Sequence, residues 1–391
     1  MSNCGVLSNQ NRFYAKQESS FGVAPAVAAA DRLAAVKLAI QQFDELRERK
    51  DKTGTRTFVG VTPGGRKRTR FNIQTYLMSN GIPGSAPAAA ALFQAALGGA
   101  PLTFPGGSAG AGSTTTDVVF SGPHGLITGQ AFGFNGELRF VTAVGSPSSV
   151  AVNAPFSTAP ASGNPLTGAV TYQPAAELPS LSIFDYWDPA WAVDRILIGA
   201  AVGTFEVKVN ADFHEFEFAG EAKDVLDTTS FTAGQGGLAS FPAEPALSAF
   251  SAVPIPGNLG QAWLGAAAAK FLTVTQASIT LDNDLDLRNR EFGSSTPQCH
   301  GAGLRKVLAR FKLFEADDNA TRGLYQAARA GTPIGVLFQL GQTAGALCGV
   351  YLKSVVSRVP EFDDADRLLE WSFTDCRAQG MGDDEIYVAF G

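Results

Sequence analysis

Leu92-Phe93-Gln94-Ala95-Ala96-Leu97-Gly98-Gly99-Ala100 and Leu324-Tyr325-Gln326-Ala327-Ala328-Arg329-Ala330-Gly331-Thr332 read as two versions of one segment. Each is a run of good helix formers stopped by glycine. The second opens on Asp317-Asp318-Asn319-Ala320-Thr321, which supplies N-cap residues. Other blocks repeat around them in the same order. Arg66-Lys67-Arg68-Thr69-Arg70-Phe71 stands where Arg305 to Phe311 stands later. Upstream, Phe43 to Arg49 resembles Leu281 to Arg290. Downstream, His214-Glu215-Phe216-Glu217-Phe218 resembles Leu368 to Phe373, and both alternate as half-buried strands do. Four matches in one order indicate an internal duplication. Leu33 to Leu46 carries helical periodicity, but its counterpart Phe271 to Leu281 is rich in Thr, Val and Ile. The repeat therefore predicts strand in both.

Spacing locates an insertion. Phe93 to Tyr325 is 232 positions, whereas Glu217 to Glu370 is 153, so the first copy carries roughly 80 residues more after its helix. Pro101 to Thr116 reads as a linker, Asp117 to Pro155 as a meander or barrel of short strands, and Ser157 to Ala176 as a loose return. The expected organisation is an N-terminal arm (1–30), a first discontinuous unit (31–100 and 176–230), an insertion (101–175), a linker (231–265) and a second unit (266–391). Prolines in the linker, among them Pro242, Pro245 and Pro254, argue against a central strand there.

Composition supports a mainly β fold of sandwich or half-barrel units, each with one short packing helix, plus a small all-β insertion. Of 391 residues only 17% are charged, while Gly (43) and Phe (28) are abundant, a mix that suits sheets with tight turns. A net charge of −6 disfavours sequence-specific binding to duplex DNA. No apolar run is long enough for a membrane span, and the start lacks the basic-plus-apolar pattern of a secretion signal.

Catalytic and metal-binding patterns are missing. His124 lies in a Gly-Pro-His-Gly turn, His214 among carboxylates and His300 in a loop beside Cys299. Asp282-x-Asp284-x-Asp286 opens like a calcium loop, but Leu287 and Gly293 stand where Gly and a bidentate Glu are required. Gly64-Gly65-Arg66-Lys67 lacks P-loop spacing. The acidic clusters Asp363-Asp364-Ala365-Asp366 and Asp383-Asp384-Glu385 read as solvated turns, and Cys348 as a core thiol. No cofactor, no metal and no enzymatic activity are expected.

The second copy resembles the tail tube proteins of long-tailed bacteriophages. The resemblance is carried by Thr280 to Leu285, by the helix Thr321 to Ala330, and by the ending: Val359 to Asp364, Leu369 to Phe373 and Asp384 to Gly391. Gln17 to Gly22 adds to it near the start. The insertion departs from the minimal family pattern. The resemblance implies a structural subunit of a virion tail, assembled in the bacterial cytoplasm. Six units usually form such a ring, so a duplicated chain implies a homotrimeric, pseudo-hexameric ring stacked into a tube for genome ejection. Its implied partners are further copies of itself, the tape measure, terminator and distal tail proteins, and double-stranded DNA that passes without specific binding. A tail completion or terminator protein of the same fold, or a carbohydrate-binding adhesin acting through the insertion, are the alternatives.

On this reading Glu206, Glu215, Glu217, Glu370 and Asp375 are candidate channel-facing carboxylates that keep DNA from sticking, or else members of outward or intersubunit ion pairs. Phe21, Arg66, Lys67, Arg68, Arg288 and Arg290 are candidate intersubunit contacts. The arm and the loops at 49–57 and 288–303 are expected between rings, and the insertion on the tube exterior.

Overall fold

The structure is a computed structural model that describes residues 5–45, 51–58, 60, 65–189, 191–209, 215–247, 253–255, 257–265, 270–365 and 367–391. The fold is mainly β, with large antiparallel sheets and two α-helices among the described residues. In chain order the principal elements begin with β1 (Asn11–Gln17), β2 (Ala35–Glu45), β3 (Arg66–Tyr76) and α1 (Ala90–Leu97). The insertion supplies β4 (Leu102–Ser108), β5 (Asp117–Val119), β6 (Ala131–Phe134), β7 (Glu137–Ser146), β8 (Ser149–Val152) and β9 (Pro165–Tyr172). Then come β10 (Leu181–Trp187), β11 (Arg195–Val209), β12 (Glu215–Ala222), β13 (Asp224–Asp227) and β14 (Gly260–Leu264). The remainder is β15 (Val274–Asp282), β16 (Lys306–Phe314), α2 (Asn319–Ala330), β17 (Ile334–Thr343), β18 (Ala346–Val356), β19 (Glu361–Asp363), β20 (Glu370–Ala378) and β21 (Tyr387–Phe390).

Strand pairing repeats. In the first half β2 pairs β3, β3 pairs β12, and β12 pairs β11. In the second half β15 pairs β16, β16 pairs β20, and β20 pairs β19 and the end of β18. A further sheet repeats as well: β1–β10–β11–β13 in one half, β14–β17–β18–β21 in the other. The long strand β11 serves both sheets of its half, bonding β10 and β13 through its first residues and β12 through its later ones. Phe71 faces Ile40 and Phe311 faces Ala277, so the basic block and its counterpart occupy the same place in the two halves.

The halves are fused edge to edge. Thr204–Val209 of β11 pairs with Asp282–Ala277 of β15, joining eight strand positions into one sheet, β2–β3–β12–β11–β15–β16–β20–β19. One face of this sheet buries Phe71, Phe205, Phe218, Phe311 and Phe373 against the second layer. Phe93 of α1 sits at the centre, ring to ring with Phe205, Phe216, Phe218, Phe390 and Tyr172. α2 is capped by Asp318, whose carboxylate accepts the Thr321 N–H at 2.6 Å. Gly98 (φ 94°) and Gly331 (φ 63°) end the two helices at positive φ, which is why both copies stop on glycine. Asn283 is buried and donates to the carbonyls of Ala96 and Val202, tying the second half to the end of α1 and to β11.

The structure differs from the sequence reading between the repeats. Pro101–Thr116 is not a plain linker, because it holds β4, an edge strand beside β9 whose sequence includes Pro105. The stretch 157–176 holds β9, which lies between β4 and β21 and so extends the second half's sheet. The stretch 231–265 holds β14, an edge strand on β17 and the counterpart of β1. The arm 1–30 holds β1 itself, with Phe13, Tyr14 and Ala15 buried.

The insertion is a cover rather than a pendant. Leu138, Phe140 and Ala154 bury Trp263, Leu337, Tyr351 and Tyr387 of the second half. Arg139, fully buried, bridges the two. Its guanidinium donates to Glu137 Oε1 (2.9 Å) and Pro155 O within the insertion, and to Gln339 Oε1 (3.0 Å) and Gln261 Oε1 (3.2 Å) across the boundary. In the first half the same service falls to residues 24–27 and 231–241, where Ala24, Phe231, Leu238 and Phe241 cover Phe184, Tyr186 and Ile196.

Candidate assembly interface

Each half exposes one polar face of the fused sheet, and the repeat places most of the predicted carboxylates on it. Glu206 faces Glu217 across β11–β12, and Lys208 faces Glu215. Lys208 Nζ lies 2.8 Å from Glu217 and 3.4 Å from Glu206. Asn72 on β3 also donates to Glu217 (2.5 Å). The bond from Lys208, then that from Asn72, hold the Glu217 carboxyl below its usual range, and the bond to Glu217 raises Lys208. Glu370 stands apart on β20, paired with Lys312 at 3.0 Å. Asp375 lies 3.9 Å from Arg310 and 3.8 Å from Arg358. Arg68 and Arg70 share Glu221. The face is therefore a ladder of mixed-sign pairs rather than a row of bare carboxylates.

The two edge strands of the fused sheet have no outer partner among the described residues. At one end β2 has β3 on one side only, and Val36 and Phe43 are exposed. At the other, β19 has only β20, with Val359 and Phe362 exposed. Free edges with exposed apolar residues invite another strand.

The predicted intersubunit residues divide. Phe21 packs inside the chain, against the His300 ring (5.4 Å) and under Lys223. Arg68 is committed to Glu221 at 2.5 Å, Lys67 Nζ lies 3.6 Å from Asp224, and Arg288 pairs with Glu291 at 2.9 Å. Arg66 donates to the Arg290 carbonyl (3.1 Å), and the Lys67 N–H to Ser295 O (2.8 Å), so the basic block and loop 288–303 meet at one corner. Of the loop at 49–57, residues 49 and 50 lie outside the described residues, as does His214.

The remaining chemical candidates have structural partners. His124 is buried, with Nδ1 accepting the Leu126 N–H and Nε2 3.1 Å from Ser146 O. Burial pushes the Cys348 thiol up. Among the described residues no group of three or more His, Cys, Asp or Glu side chains is placed to hold a metal ion, and no helix is long and apolar enough to cross a membrane. No protein-family model matches the chain, and no curated protein does.

Proposed function

We propose that this chain is the structural subunit of a phage tail tube, closing with two further copies into a ring whose inner wall is the fused sheet. One observation carries the reading: the two free edges are the counterparts of the two strands that pair inside the chain. Glu206 faces Glu217 as Asp363 faces Glu370, so β11 corresponds to β18–β19. Ile40 faces Phe71 as Ala277 faces Phe311, so β2 corresponds to β15. Within the chain Glu206 lies opposite Thr280, and Lys208 opposite Ser278. Repeating that contact between copies sets Asp363 opposite Phe43 and Phe362 opposite Asp44. The contact is heterologous, and repeated with rotation it closes a ring that leaves no edge.

Three copies would supply 24 strand positions, from eight per chain. At about 4.8 Å per strand and a tilt of about 40°, the wall would be about 48 Å across between backbones, or about 36 Å between side chains. A double helix fits that opening. The paired charges of the inner face suit a conduit, since they offer a polyanion neither strong binding nor a large net repulsion.

Negative-stain imaging of the concentrated protein tests the reading. Rings with threefold or pseudo-sixfold outline, and tubes built from them, are expected. Monomers at high concentration would refute it, and single rings that never stack would favour a tail completion protein. Sugar-dependent binding by a monomeric chain would favour the adhesin.

A further inference from the structure

We infer that Arg66, Arg68 and Arg290 form a socket for the acidic hairpin tip Asp363–Asp364 of a second copy stacked on the same axis. This rests on the ring reading and adds the surface by which one ring holds the next. The socket is a hollow of about 340 Å³ whose lining is polar apart from Leu287, with Glu221 and Asp286 as its acids. Glu221 is already shared by Arg68 and Arg70. Neither Arg66 nor Arg290 enters an ion pair among the described side chains, and three arginines line the hollow against two carboxylates.

The complementary charge sits at the opposite end of the same sheet. β3 begins, and β12 and β15 end, beside the socket, whereas the β19–β20 hairpin turns at the far end. Asp363 and Asp364 are exposed there and enter no ion pair among the described residues. Strands of nine to eleven residues hold the two ends roughly 30 Å apart. One molecule therefore cannot bring its own tip to its own socket. A second copy can, in a head-to-tail contact that continues without closing. The seam proposed within a ring uses the backbone of this segment, which leaves the carboxylates available. Rim charges of this kind set register and attachment rate, and like-charge contacts there oppose stacking.

The test compares wild-type protein, Arg66→Glu/Arg290→Glu, Asp363→Lys/Asp364→Lys, and all four changes together, by sedimentation and negative stain at low and moderate salt. Each double variant is expected to keep its rings and lose its tubes, and the fourfold charge swap to recover them. Wild-type tubes should shorten as salt rises. Rings of Arg66→Glu/Arg290→Glu that stack like wild type, or a fourfold variant that does not recover, would overturn the socket alone. A wild-type chain that stays monomeric would overturn both readings. Duplex DNA retained by wild-type rings and lost in Arg66→Glu/Arg290→Glu, with stacking unchanged, would reassign the arginines to nucleic acid and overturn the socket.

Discussion

Replacing Arg139 by methionine should release the insertion from the second half of the chain. Every nitrogen of the guanidinium has an acceptor, and the group lies between the rings of Phe156 (5.3 Å) and Trp263 (5.4 Å). Burial pulls its pKa down to about 10 against the lift from Glu137, so the charge is held at a cost that its partners offset. Without it Glu137 keeps only Ser157, whose N–H and hydroxyl donate at 2.7 and 2.9 Å. Removing one partner of a buried pair costs about 3–5 kcal/mol, and the serine contacts argue for the lower end. About 3 kcal/mol corresponds to local opening roughly a hundredfold more frequent. Hydrogen exchange should therefore accelerate by about that factor in β7 and β9, while β1 and β10 in the first half stay protected. Trp263, 8% exposed, should shift its fluorescence toward that of solvated indole. Glu137→Leu combined with Arg139→Met should recover most of the loss, because an apolar pair leaves no stranded charge. Exchange in β7 within a few-fold of wild type, or equal acceleration in both halves, would refute the idea that this network clamps the insertion.

Phe93→Ala removes the ring at the centre of five aromatic neighbours and should destabilise the chain by about 3–5 kcal/mol in denaturant unfolding. Asn283→Ala strands the buried carbonyls of Ala96 and Val202 and should cost about 1–3 kcal/mol, with exchange rising first at the β11–β15 junction. Lys208→Gln should raise the Glu217 carboxyl pKa in an NMR titration, since the lysine is the main cause of its depression. In the wild type that pair stabilises above the unfolded glutamate pKa and loses its contribution as pH falls through the lower folded value of Glu217. It loses it again at alkaline pH, through the raised value of Lys208, and the total stays under about 1 kcal/mol because Lys208 is 40% exposed.

The repeated blocks were legible because they lie on strands with one buried face, where alternation is enforced. Phe71 and Phe311 point into the core from the same register position, so the basic run and its counterpart align by eye. The helices were legible through their glycine stops. The strands β1 and β14 were not, because β1 buries three consecutive residues without alternation and β14 is short and hidden among prolines and glycines. β4 was missed for a related reason: a proline that ends a central strand is tolerated at an edge. The carboxylates of the polar face were visible as residues, but not their partners. Lys208 follows Glu206 by two positions, a spacing that puts both on one side of a strand, whereas Lys312 reaches Glu370 only through the β16–β20 pairing. The insertion's docking on the second half had no sequence signal, since Gln261 and Gln339 are ordinary residues until Arg139 meets them.

The intermolecular seam can be measured with Phe43→Cys and Asp363→Cys in one chain otherwise stripped of cysteine. Directly opposed residues on neighbouring antiparallel strands bring their Cβ atoms to about 4.5–5.5 Å, near disulfide range. Oxidation of the assembled protein should give covalent dimers and then circular trimers on a denaturing gel, and nothing larger. Cysteines moved one residue along, Gln42→Cys with Asp363→Cys, should link poorly. Failure to link between copies, or an open ladder extending past three chains, would contradict the three-copy ring.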